Sequence, residues 1–127
     1  MGQNTDMEQF VVERDGNRDL EFAGVKLGAG SFGTGGTSGF AGDWTRGTSV
    51  DIYRTVGGRY VVGVKQWSCY EGEGDIYRAA VCDTPADVFA WLVEDAGGRL
   101  GRASKEALEA AATEDAEIAA ILTEQVE

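Results

Sequence analysis

Thr48-Ser49-Val50-Asp51-Ile52-Tyr53-Arg54-Thr55, then Val56-Gly57-Gly58, then Arg59-Tyr60-Val61-Val62-Gly63-Val64-Lys65-Gln66-Trp67 is the stretch on which the fold turns. Both arms are rich in β-branched and aromatic residues, and Gly57-Gly58 between them predicts a hairpin turn. A two-residue turn sets Tyr53 opposite Val62 and Ile52 opposite Gly63. Downstream, Asp75 to Cys82 reads as a third strand. The tetrapeptide Asp-Ile-Tyr-Arg stands at 51–54 and again at 75–78 with unmatched flanks, which fits two strands of one meander better than a duplicated unit.

Working upstream, Phe10 to Arg14, Asp15-Gly16 and Asn17 to Leu27 predict a second hairpin, because Asp-Gly supplies the positive φ of a tight turn. Its second arm alternates Leu20 and Phe22, then changes phase to Val25 and Leu27, so a bulge or bend is expected at Ala23-Gly24. Seven of the fifteen residues from Gly28 to Gly42 are glycine, and the expectation there is a long mobile or specially shaped loop.

Downstream, the grammar changes at Thr84-Pro85-Ala86-Asp87, where an N-cap, a proline at the first helical position and an early acid announce a helix. Val88, Phe89, Leu92 and Val93 form its apolar stripe, Trp91 flanks it, and Gly97-Gly98 ends it. Ser104 can cap a second helix. Leu108, Ala111, Ala112, Ile118, Ala119, Leu122 and Val126 share one face, opposite Glu106, Glu109, Glu117, Glu124 and Glu127. Asp115 interrupts the apolar face, so Thr113 is expected to cap a separate last helix. The fold class is therefore α+β: an antiparallel sheet of about five strands covered on one face by two or three C-terminal helices. One domain spans 1–127, with a β part at 1–82 containing the glycine-rich loop 28–42 and an acidic helical part at 83–127.

The chain has 22 acids against 11 bases, a net charge of −11 and no histidine. Residues 83–127 hold 11 acids and 3 bases, and from Glu106 to Glu127 seven carboxylates occur without a lysine or arginine. Such a surface repels nucleic acid and anionic lipid and attracts basic protein surfaces. Helices normally mix Glu with Lys at i,i+4, so the one-sidedness costs stability and suggests recognition; the plain alternative is a solvated face. With no histidine, the commonest general base and the Ser-His and Cys-His pairings are excluded. No apolar run approaches the ~20 residues of a membrane span, and no leader precedes the fold, so a cytoplasmic protein is expected. Cys69 and Cys82 read as small buried strand residues.

Three motifs are weaker. Gly28-Ala29-Gly30-Ser31-Phe32-Gly33 matches G-x-G-x-x-G, but no βαβ unit surrounds it and the kinase motifs that would accompany it are missing, so it reads as a flexible connection. Glu71, Glu73 and Asp75 stand at alternate positions of a turn, like the early ligands of a calcium loop, without the later ones. Arg54 and Arg78, each beside a tyrosine, could form an anion site if brought together; the alternative is that they pair with acids.

Leu20-Glu21-Phe22-Ala23-Gly24-Val25-Lys26-Leu27, Tyr53-Arg54-Thr55-Val56-Gly57-Gly58-Arg59-Tyr60-Val61-Val62 and Val81-Cys82-Asp83-Thr84, in this order, resemble the bacterial EXLDI protein family over about residues 20–95. The chain departs from that pattern in having no E-x-L-D-I near its end and no ribbon-helix-helix-like segment before the sheet. The family's role is not established, so the resemblance implies a fold and assigns no catalytic residue.

The leading functional expectation is a non-enzymatic binding module without a cofactor. In it Glu106, Glu109, Glu114, Glu117 and Glu124 occupy a basic, nucleic-acid-binding surface of a partner protein, in the manner of small phage or mobile-element inhibitors such as anti-CRISPR and DNA-mimic proteins. Neither nucleic acid nor membrane is touched directly, and the chain is a monomer or homodimer. The alternatives are a carboxylate-based metal-binding or hydrolytic protein using Glu71, Glu73 and Asp75, and a small accessory or structural subunit.

Overall fold

Alternation along the central hairpin places Val50 and Ile52 on one face of the sheet with Val62 and Val64, and all four are buried. The computed structural model describes residues 7–37, 44–68, 72 and 74–123, with the side chains of 34–37, 44 and 45 outside that description. The elements are β1 (Glu8–Val12), β2 (Leu20–Thr37), β3 (Trp44–Thr55), β4 (Tyr60–Ser68), β5 (Ile76–Cys82), α1 (Pro85–Asp95), α2 (Arg102–Ala112) and α3 (Ala116–Ile121). The five strands form one antiparallel meander in chain order, and the helices pack on one face of it. The α+β architecture expected from the sequence is the one observed.

The shared core joins Val50, Ile52, Tyr60, Val62 and Val64 of the sheet to Val88 and Leu92 of α1, Ala103, Ala107, Leu108 and Ala111 of α2, and Ile118 of α3. Each fully buried large aliphatic contributes about 1.5–3 kcal/mol. The opposite face is closed by curling. Phe10, Phe22 and Tyr53 stack with ring centroids 4.8–5.6 Å apart, over Val61, which is paired with Tyr53 and buried. The β1–β2 connection then reaches the far edge strand. Asp15 donates its amide to the Tyr77 carbonyl at 2.9 Å and accepts the Tyr77 amide on its carboxylate at 3.0 Å.

Several local expectations are corrected. The central turn is a three-residue connection, Val56-Gly57-Gly58. Gly58 adopts φ 90°, its amide donates to the Thr55 carbonyl at 2.9 Å, and the Thr55 amide donates to Arg59 at 2.8 Å. The extra residue shifts the register by one, pairing Tyr53 with Val61 and Ile52 with Val62. The first hairpin is not closed by a two-residue Asp-Gly turn, since Val12 pairs with Leu20 and Asp15 is committed to Tyr77. The bulge lies at Leu27, between the Lys26–Tyr53 and Gly28–Ile52 pairs.

The largest correction concerns Gly28–Gly42. This segment is not a loop along its first part, because β2 continues to Thr37 and pairs with β3 as far as Thr37–Trp44; residues 38–43 lie outside the described residues. The glycines serve packing. A Cβ on Gly28 would stand 2.5 Å from the Ala111 nitrogen, and one on Gly30 would stand 2.2 Å from the Ala103 oxygen. Bare strand backbone thus lies directly against the alanine face of α2, a distance only glycine permits.

Thr84 caps α1 as expected, accepting the Asp87 amide at 3.1 Å, with Pro85 opening the helix and Gly97 and Gly98 at positive φ beyond its end. Ser104 is not a cap but a buried residue inside α2, whose N-cap is Gly101. A separate last helix is present, and its cap is Asp115, not Thr113; the Asp115 carboxylate accepts the Glu117 and Ile118 amides at 2.8 and 3.2 Å.

Candidate functional site

The helical layer does not present its acids as one uniform row. Glu106 turns to the sheet and accepts the Ser31 amide at 2.9 Å. Glu117 is held by Arg54 at 2.9 Å. Glu109 and Glu114 are exposed, and among the described residues neither makes a side-chain hydrogen bond or ion pair. Glu94 on α1 is likewise exposed. Glu124 lies outside the described residues.

The bases of the sheet are largely committed. Lys26 pairs with Asp51 at 2.9 Å, Arg59 with Asp83 at 3.1 Å and Lys65 with Asp75 at 3.6 Å. Arg54 and Arg78 are not brought together; each takes an acid from the helical layer. Arg78 holds Asp95 through Nε at 2.5 Å and a terminal nitrogen at 3.1 Å, and donates its other terminal nitrogen to Gln66 at 2.8 Å. The hydrogen bond to Asp95 raises the Arg78 pKa above its ordinary value, as the bond to Glu117 does for Arg54.

Sequence reasoning missed the role of Asp115, read there only as a flaw in an apolar face. Only 6% exposed, it accepts Arg54 at 3.0 Å and the Tyr60 hydroxyl at 3.1 Å while capping α3. Burial first, and then this hydrogen bond, push the Tyr60 hydroxyl up to about 12. The signal was present: an aspartate two and three residues before the amides it caps is an N-cap pattern in its own right. Asp115 is thus the buried centre of a network that ties α3 to β3 and β4, with Arg54 and Glu117 at its exposed rim.

Of the calcium-like trio, Asp75 is used by Lys65 and by the Ser68 amide at 3.4 Å, while Glu71 and Glu73 lie outside the described residues. Among the described residues no group of three metal-ligating side chains occurs. Cys82 is free and buried, its thiol pushed up in pKa by burial and then by Asp87 and Asp83; Cys69 is outside the described residues. No helix is long and apolar enough to cross a membrane among the residues described.

Glu94, Glu109 and Glu114 are thus exposed acids of the helical layer without a side-chain partner among the described residues. No protein family, no curated protein and no solved structure matches this chain.

Proposed function

We propose that this protein is a non-enzymatic binding module whose acidic helical layer occupies a basic surface of a partner protein, one that otherwise binds nucleic acid. The supporting observation is where the acids sit. None of the three helices has a base in its last turn, while α1 ends with Glu94 and Asp95 and α2 carries Glu109 in its final turn with Glu114 just beyond. A carboxylate at the negative end of a helix dipole has the wrong sign and costs about 0.3–1 kcal/mol. Asp95 is neutralised by Arg78, but Glu94, Glu109 and Glu114 are not paired among the described residues. Stability is given up for an outward negative field, which is what electrostatic steering toward a basic partner requires.

The finer reading is an inhibitor of the anti-CRISPR or DNA-mimic kind, with carboxylates standing where phosphates would. Glu106 and Glu117 are engaged within the molecule, so Glu109, Glu114 and Glu94 carry that role. The test is a double charge reversal, Glu109→Lys with Glu114→Lys. Because lysine suits a helix C-terminus, the double variant is expected to melt no lower than the parent. Its association rate with a partner captured from the native host is expected to fall at least about ten-fold at low salt. A partner that binds the double variant as fast as the parent sinks the proposal.

A further inference from the structure

At the end of the sheet–helix interface remote from Asp115, the fold leaves a cavity of about 220 Å³, whose polar lining comes from Thr48, Gln66, Arg78, Asp95, Arg102 and Ser104. We propose that this cavity binds a small oxyanion, with a phosphate group as the best fit, at the N-terminus of α2. The proposal is independent of the acidic face.

Three features converge there. First, the N-cap of α2 is Gly101, which offers no side-chain acceptor, and the first turn holds no acid. The first intrahelical bond is from the Lys105 amide to the Gly101 carbonyl at 2.9 Å, so the amides of Arg102, Ala103 and Ser104 have no acceptor within the helix. These residues all line the cavity.

Second, Ser104 also lines the cavity and is only 6% exposed, yet among the described residues its hydroxyl has no hydrogen-bond partner. Buried hydroxyls are bonded in the great majority of cases. A ligand in the cavity supplies the missing acceptor. Third, Arg102 occupies the first helical position, where a cation opposes the dipole. Its guanidinium is held 4.7 Å above the Phe32 ring and has no ion pair among the described residues. An anion beside it reverses the sign of that local interaction.

The lining also contains a carboxylate, Asp95, with both oxygens bonded to Arg78. This pair is neutral as a unit. The positive contributions to the field on the cavity come from Arg102 and the N-terminal end of the α2 dipole, set against the C-terminal end of α1, whose cap residue Ala96 also lines it. Three amides, a hydroxyl and a guanidinium fork offer more donors than the two oxygens of a carboxylate can take, which favours a tetrahedral oxyanion. The volume is below the roughly 300–1,000 Å³ of sites for drug-sized ligands, so the space suits phosphate or a small phosphomonoester.

The experiment is an amide NMR titration of the full chain with inorganic phosphate, at fixed pH and ionic strength, beside parallel titrations with glycerol phosphate, acetate and chloride. The amides of 102–104 are expected to shift and saturate at millimolar phosphate. Ser104→Ala and Arg102→Gln are each expected to weaken binding about five-fold with an unchanged melting temperature. Tighter saturation by glycerol phosphate identifies a phosphomonoester as the ligand, and the reverse order identifies the free ion. Acetate saturating at the same concentration overturns the phosphate assignment. Shifts that rise linearly without saturation, match those in chloride, or persist undiminished in both variants overturn the site.

Discussion

Gly30 sets a tight tolerance against α2 that the sequence alone concealed. Its missing side chain admits the Ala103 carbonyl and Ala107 amide of α2, each nearer than 3 Å to where a Cβ would stand. Gly30→Ala is expected to lower the unfolding free energy by about 3 kcal/mol, measured by urea denaturation, because neither backbone can retreat without opening the core. Gly57→Ala, where the nearest atom to an added methyl is the Thr55 hydroxyl at 3.9 Å, should change it by less than about 0.5 kcal/mol. Asp115→Ala removes a helix cap and two side-chain partners at once and is expected to cost about 3 kcal/mol, against about 1 for Thr84→Ala, which removes a cap alone. Tyr53 and Tyr60 give the pH dependence. Burial first raises both phenols from 10 to about 12, so the folded state favours their protonated form. Their contribution is intact below pH 10 and is lost as pH rises through about 12. Tyrosine ionisation followed by absorbance should therefore show these two titrating late and together with alkaline unfolding; an early, fully reversible titration of both without unfolding contradicts this.

At the level of elements, β2 behaves as two strands in series joined at the Leu27 bulge. Before it, Phe22 packs on Phe10 and Tyr53 away from the helices; after it, Gly28 and Gly30 lie under α2. Amide exchange is expected to show 28–33 protected comparably to 48–52, and rapid exchange at 28–33 would deny the strand. The sequence shows the central hairpin, the third strand, the Thr84 cap and the helical layer, since each is written in local periodicity and capping chemistry. It hides what depends on a distant partner. Gly28 and Gly30 look like flexibility until Ala103, Ala107 and Ala111 are placed over them. Asp115 looks like a flaw until Arg54 and Tyr60 arrive from the sheet, and Ser104 reads as a cap because its burial comes from strands more than thirty residues away in the chain. The acids of the candidate surface were legible as a block, but which of them the fold consumes internally was not. The length of the central turn is not written in its sequence, because a Gly-Gly pair serves equally a two-residue turn and a bulged three-residue one.

For the whole molecule, a net charge of −11 with many bases already paired makes self-repulsion a global term. Moderate sodium chloride is expected to raise the melting temperature of the parent, and to raise it less in the Glu109→Lys, Glu114→Lys variant, as screening has less repulsion left to remove. An equal salt response in both would place the destabilising charge elsewhere. The seam between β2 and α2 has a further consequence for biosynthesis. A glycine-rich strand has little tendency of its own to stay extended, and the helix that covers it lies more than seventy residues later in the chain. While the ribosome is still making α2, the second half of β2 has emerged without its cover, and the sheet can be only partly assembled. Domains generally fold as units as synthesis proceeds. This one is expected to acquire protease resistance in a single late step, when Ala111 clears the exit tunnel, and nascent chains stalled before Arg102 should be digested through Gly28–Thr37 even though the hairpin of β3 and β4 has long been complete.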